Sequence, residues 1–278
     1  MHSNTPNFII AGVMKGGTTA AAFNLNQHHD IFCLTQYWKQ RVLNDEDYNY
    51  VAQTGSWAGN MKNPGNKEMD YFNLTTNYDL TNSFDIYKTF FPRELKSIGE
   101  SSPNYFPLDE SSNGGAATRI ASDLPDAKVI ILLRDPINRA YSHWNHIDSK
   151  LPDWGSTYHG LTFDTAVRNY PEGNIIKRSK YLANLTSWVT AIGSDKVYVA
   201  LQESLAADPL TEFNKICVFL DVDPFYEDHT FKKVFAGDYN SVLDSSTVDY
   251  LKPIFASDVN GVKDLYPHLD YSLWNDYS

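Results

Sequence analysis

Cysteine is scarce, with Cys33 and Cys217 the only two in 278 residues. Two thiols cannot build a disulfide framework or a four-cysteine metal site, so two buried thiols are the expectation. Positive charge is also in short supply. Lys and Arg total 23 against 34 Asp and Glu, a formal charge of −11. That balance argues against a surface that grips nucleic acid over its whole area, though it leaves room for a small basic pocket inside an acidic shell. No apolar run reaches the roughly eighteen residues that a membrane-spanning helix needs. Residues Met1 to Pro6 are polar and lack a signal-peptide pattern. A cytoplasmic, reducing setting is therefore expected, the alternative being a catalytic domain trimmed from a membrane-anchored parent. Two Asn-x-Thr sequons, at Asn73 and Asn184, carry little weight without a secretory signal.

What the chain does have is apolar and aromatic content, 42% and 14%, which excludes a disordered polymer. Strand-like and helix-like runs alternate. Phe8–Val13 is a short apolar run ending around a glycine, and Thr18–Gln27 follows as a helix. Ile98 lies in a short run before Glu100. Lys128–Leu133 (KVIILL) and Val197–Leu201 (VYVAL) are continuous apolar runs of the kind buried on both faces of a parallel sheet. Helices are expected at Ala116–Leu124, from Pro136 to about Lys150, and at Phe163–Asn169, Ser179–Ile192, Leu210–Leu220 and Ser246–Asp264, with Pro136 favourable as a first helical residue. The alternation predicts an α/β fold with a central parallel sheet flanked by helices in three layers. A single domain over residues 1–278 is expected. Between about 37 and 92 the pattern fails in a stretch rich in Asn, Tyr, Gly and Asp, the profile of a binding loop or lid.

The strongest chemical signal is Gly12-Val13-Met14-Lys15-Gly16-Gly17-Thr18-Thr19, a strand running through a glycine-rich turn into a helix. Glycines let backbone N–H groups approach an anion, and the helix N-terminus supplies fixed positive potential. Lys15 adds a point charge, and Thr18 and Thr19 add hydroxyls. The order is not that of a Walker A motif, because Lys15 precedes the paired glycines, and the KVIILL strand ends in Arg134 rather than a Walker B carboxylate. The bland alternative, a plain strand–turn–helix corner, leaves so many co-located donors unexplained. A second signal is Arg134 at the end of a buried strand, where open α/β sheets bind ligands, with Ser142 about two helical turns further on. An arginine fork and a hydroxyl suit a phosphate monoester.

On these residues the chain resembles the 3′-phosphoadenylyl sulfate (PAPS)-dependent sulfotransferases, closest to the glycan branch that includes the heparan sulfate enzymes. The glycine loop is similar to that family's 5′-phosphosulfate loop, and Leu133-Arg134-Asp135-Pro136 through Arg139-Ala140-Tyr141-Ser142 to its 3′-phosphate motif. Lys67-Glu68-Met69-Asp70-Tyr71-Phe72 resembles its Lys-Glu-x-x-aromatic-Phe stretch. Glu100-Ser101-Ser102-Pro103-Asn104-Tyr105-Phe106 resembles its Glu-Lys-Ser-Pro-x-Tyr-Phe segment. The run from Ser179-Lys180-Tyr181 to Trp188, and that from Leu251 to Trp274, resemble two of its helices. The resemblance implies a P-loop-like fold and sulfuryl transfer from PAPS to an acceptor hydroxyl, with release of the desulfated product PAP and no metal. It places Lys15, Gly16, Gly17, Thr18, Thr19, Arg134, Ser142 and Tyr181 on the donor. Lys15 would act at the bridging 5′-phosphate oxygen and Glu68 as the base. Glu100 stands as a second carboxylate candidate, and His28 and His29 as weaker ones. His143 and His146, three apart on a helix, lack an evident third metal ligand.

Departures from the family pattern lie on the acceptor side. Ser101 stands where heparan-modifying members carry lysine, Ser179 replaces a glycine, and the C-terminal cysteine pair and Lys-Gly-Arg loop are absent. With the acidic balance this points to a neutral acceptor, a sugar, glycolipid or small metabolite, since like charges repel. Six tryptophans and eighteen tyrosines would suit stacking on such a molecule. Nucleic acid is not an expected partner, and oligomeric state is open. By resemblance, the membrane-anchored alternative would be a Golgi-lumenal catalytic domain. A P-loop kinase or NTPase, and a non-catalytic nucleotide-binding module, are the competing readings.

Overall fold

The computed structural model describes residues 5–34, 68–73, 83–88, 90–91, 95–107, 115–150, 157–232 and 243–277. Most of the 37–92 stretch expected as a lid, Lys67 included, lies outside the described residues, as do residues 233–240.

Among the described residues five strands form one parallel sheet: β1 (Phe8–Gly12), β2 (Ile31–Leu34), β3 (Ser97–Ser101), β4 (Lys128–Leu133) and β5 (Val197–Leu201), in the order β2-β3-β1-β4-β5. Strand β1 is central, with Ile9 opposite Glu100 on one side and Val129 on the other. The two neighbours of β1 lie on opposite sides of it, so the space beyond its carboxyl end is a switch point where such sheets bind ligands.

Side-chain alternation sorts the sheet residues into two cores, as period-2 geometry requires. Ile9, Ala11, Val129, Ile131 and Leu133 face one layer. There they meet α3 (Gly115–Asp123), α4 (Pro136–Lys150), α7 (Leu182–Ile192) and α10 (Ser245–Leu265) through Ile120, Ile137, Leu185 and Phe255. Phe8, Ile10, Ile130 and Leu132 face the other layer, built from α1 (Thr18–Leu25) and α9 (Pro209–Phe219) through Ala21, Leu25, Phe213 and Ile216. The predicted three-layer α/β architecture is what forms. No helix among the described residues is long and apolar enough to cross a membrane.

Most expected elements fall within a residue or two of their predicted bounds. The helix expected over Ser179–Ile192 instead begins at Leu182, after a short helix α6 (Asn174–Lys177). Ser179 is diverted into a side-chain bond with Arg139, and Asp258 on α10 accepts the N–H groups of Tyr181 and Leu182 at 2.7 and 3.1 Å. A distant carboxylate thus caps α7 and sets its start. Strand β2 and the helices α2 (Ser83–Lys88) and α8 (Gln202–Ala207) were not anticipated, being too short to show a period. Helix α5 (Phe163–Asn169) matches its expected bounds.

Candidate active site

The glycine loop leaves the carboxyl end of β1 and is pinned to β4. Val13 N–H donates to the Leu132 carbonyl at 3.0 Å, and Gly16 N–H to the Val13 carbonyl at 2.8 Å. A Cβ on Gly16 would stand 2.3 Å from the Leu132 oxygen, so only glycine fits against the strand. Gly17 caps α1 at φ 87°, in left-handed space. Lys15 also has positive φ, 70°, an arrangement that costs a side-chain-bearing residue about 1–3 kcal/mol and is concentrated at functional sites. The first turn of α1, with Thr18 and Thr19, carries no acidic residue of its own to offset the positive helix end beside Lys15.

Arg134 follows β4 directly and donates from Nη1 to the Lys15 carbonyl at 3.2 Å, placing the two sequence motifs in one site. Its own peptide is clamped from both sides. The Tyr181 hydroxyl donates to the Arg134 carbonyl at 2.8 Å, and the next N–H, of Asp135, donates to Glu203 Oε1 at 3.0 Å. Tyr181, expected on the donor, is fully buried. The structure places its hydroxyl on the Arg134 carbonyl, where it fixes that residue's backbone. Ser142 is 5% exposed on α4, on the helix that Asp135 caps through the N–H groups of Ile137 and Asn138.

Two arginines join this group that the sequence did not single out as site residues. Arg139 is fully buried without a carboxylate partner in its hydrogen bonds. It donates to Ser179 Oγ (2.7 Å), the Ile175 carbonyl (2.7 Å), His143 Nδ1 (3.2 Å) and the Met14 carbonyl (3.4 Å). Burial first, and then the neighbouring charges of Arg178 and Arg134, push it down to about 10. Arg178 donates from Nη1 to Asn104 Oδ1 at 3.1 Å and to Met14 Sδ at 3.3 Å. His143 is pushed down to about 2 by burial, then by Arg139 and Arg178, with Lys15 contributing. It is a neutral ring inside a cationic cluster, which opposes metal binding there. Among the described residues no three His, Cys, Asp or Glu side chains gather as a metal site.

On the other side of the loop Glu68 and Asp70 approach Asn104, whose Nδ2 lies 3.2 Å from Glu68 Oε2 and 3.4 Å from each Asp70 oxygen. Asp70 sits at φ 52°. Glu100 takes a different place from its neighbours. It is fully buried, and its carboxyl accepts from Tyr87 (2.7 Å), Tyr105 (2.9 Å) and Ser102 (2.7 Å). Burial outweighs these bonds and pushes it up to about 7. Ser102 Oγ in turn accepts the N–H groups of Met69 and Asp70 at 3.0 and 3.2 Å. Glu100 is therefore an enclosed anchor beneath the Glu68–Asp70 segment. His28 is committed elsewhere, at the far end of α1, with one ring nitrogen on the Asp223 carbonyl at 2.8 Å and the other on the Asp30 N–H at 3.1 Å. His29 pairs with Asp30 at the same end.

Arg139 belongs to the second sequence motif. Arg178, Asn104 and Asp70 had no signal beyond their nearness to motif residues, because their meeting depends on chain segments far apart in sequence.

Both the sequence and the fold are similar to those of known proteins. The chain belongs to the sulfotransferase family, whose sequence profile matches residues 6–228. The bifunctional heparan sulfate N-deacetylase/N-sulfotransferase of Drosophila melanogaster is 25% identical over 253 residues, covering 84% of this chain and 21% of that protein. The Mus musculus heparan sulfate glucosamine 3-O-sulfotransferase 3B1 is 27% identical over 234 residues, covering 81% of this chain and 48% of that protein. The chain thus spans less than half the length of either relative. A sulfotransferase from Alicyclobacillus acidocaldarius shares the fold at TM-score 0.64 and 24% identity, over 98% of this chain and 99% of that one. Mouse sulfotransferase SULT7A1 complexed with PAP does so at TM-score 0.53 and 13% identity, over 92% and 85%.

Proposed function

We propose that the chain transfers the sulfuryl group of PAPS to an acceptor hydroxyl and releases PAP. The observation that carries this is the gathering of Lys15, Arg134, Arg139 and Arg178 around one glycine loop in a chain of formal charge −11. Mutually repelling cations at a sheet's carboxyl end are stabilised when an anion sits among them. The residues fit the donor: the glycines let the loop backbone lie close to a ligand, and lysine, hydroxyls and guanidinium surround it.

PAPS supplies a sulfuryl group on a phosphate leaving group. Lys15, with Gly16, Gly17, Thr18 and Thr19, holds the 5′ side and offsets charge on the leaving oxygen. Arg134 and Ser142 take the 3′-phosphate, with Tyr181 fixing the Arg134 backbone. Glu68 accepts the acceptor's proton. A neutral acceptor fits best, since Glu68 and Asp70 share Asn104 and would repel an anion. Sugars, glycolipids and small hydroxylated metabolites belong to this class. The chain works as one domain, and a cytoplasmic setting is in keeping with Cys33 and Cys217 being free, buried thiols.

The experiment that tests this is a thermal-shift comparison of PAP with ATP–Mg²⁺. PAP is expected to raise Tm well beyond ATP–Mg²⁺, by mass action on the native state. Stabilisation by ATP–Mg²⁺ without PAP would favour a P-loop kinase or NTPase instead.

A further inference from the structure

One connected set of polar groups runs from the donor loop to the acceptor-side carboxylates. Met14 directly precedes Lys15, and its sulfur accepts from Arg178 Nη1 at 3.3 Å. The same nitrogen donates to Asn104 Oδ1 at 3.1 Å. The other end of that amide donates to Glu68 Oε2 at 3.2 Å and reaches Asp70 at 3.4 Å. The amide orientation follows from charge: turned over, Asn104 would set its NH₂ against a guanidinium and its oxygen against carboxylates. The backbone of the segment is anchored separately, through Ser102 and the buried Glu100. Asn104 thus bears on the direction of the Glu68 side chain, and a mostly buried guanidinium that also holds the loop bears on the placement of Asn104.

We propose that Arg178 and Asn104 are positioning residues that tie the Glu68 carboxylate to the donor loop, so that filling the donor site orders the acceptor-side segment. This rests on the donor-site reading above. A buried guanidinium that loses a partner keeps its desolvation cost. Fixing Met14 when the loop closes on an anion therefore narrows the positions open to Arg178, then to Asn104, then to Glu68.

The test is backbone hydrogen exchange of residues 68–73 with and without PAP, on wild type, Asn104→Leu and Asn104→Asp, with PAP affinity measured by calorimetry. The second variant is isosteric and keeps an oxygen for Arg178 while repelling Glu68, so a folding defect in the first does not decide the outcome. PAP is expected to slow exchange in the wild type by about threefold or more, as ordering of a local opening equilibrium does. Both variants should bind PAP within about threefold of the wild type yet lose the slowing. Retained slowing in both variants, or PAP binding to the wild type without any slowing, overturns the coupling. Failure of the wild type to bind PAP at all removes the donor-site reading, and the coupling with it.

Discussion

Arg134 donates from Nη1 to the carbonyl of Lys15 at 3.2 Å. The residue that follows the fourth strand thereby braces the loop that follows the first. Replacing Arg134 by Ala should weaken PAP binding by about tenfold or more, the loss expected for a charge-assisted phosphate contact. Calorimetric titration with PAP checks this. Unchanged affinity would take the 3′-phosphate away from Arg134.

Lys15 and Glu68 are assigned opposite tasks, and their variants should separate. Lys15→Ala should cut turnover of labelled PAPS by about tenfold or more through lost leaving-group stabilisation. Glu68→Gln should lose rate by a similar order while keeping PAP affinity, because a base acts on the acceptor. A Glu68→Gln enzyme of normal rate would place the base elsewhere.

Gly16 has no room for a side chain, with the Leu132 oxygen 2.3 Å from where its Cβ would sit. Gly16→Ala must push the loop away from β4, against the Val13 bond to the same oxygen. Overpacking of this kind costs about 1–3 kcal/mol, so denaturant unfolding should show that loss together with weakened PAP binding. A variant of wild-type stability and affinity would mean the loop relaxes freely.

Glu100 gives a pH prediction. Its carboxyl is raised from 4.5 to about 7 by burial. Between those values the native state keeps a proton that the unfolded chain has released. The contribution is therefore complete below pH 4.5, falls by about 3 kcal/mol as pH rises toward 7, and changes no further above it. Glu100→Gln is neutral throughout, so its unfolding free energy between pH 5 and 8 should be flatter than that of the wild type. Parallel curves would show that Glu100 ionises in the native protein as it does in the unfolded chain.

Much of the architecture was legible locally. KVIILL and VYVAL are continuous apolar runs because strands of a parallel sheet are covered on both faces, and both formed at their expected bounds. Pro136 opens α4 as its missing N–H predicts. The helix beginning at Ser179 was misplaced because its true start is set by Asp258, far away in sequence.

The sequence by itself determined the local chemistry: a glycine loop between strand and helix, an arginine at a strand end, and the charge imbalance around them. Those follow from φ/ψ freedom, missing donors and apolar periodicity, which act over a few residues. Only the tertiary structure decided that Glu100 is sealed beneath Tyr87 and Tyr105 while Glu68 is not. It likewise set the Tyr181 hydroxyl on the Arg134 carbonyl and brought Arg139 and Arg178 to the loop. The physical reason is that burial and pairing depend on which strands become neighbours, and the order β2-β3-β1-β4-β5 is fixed by contacts between segments that no local pattern relates.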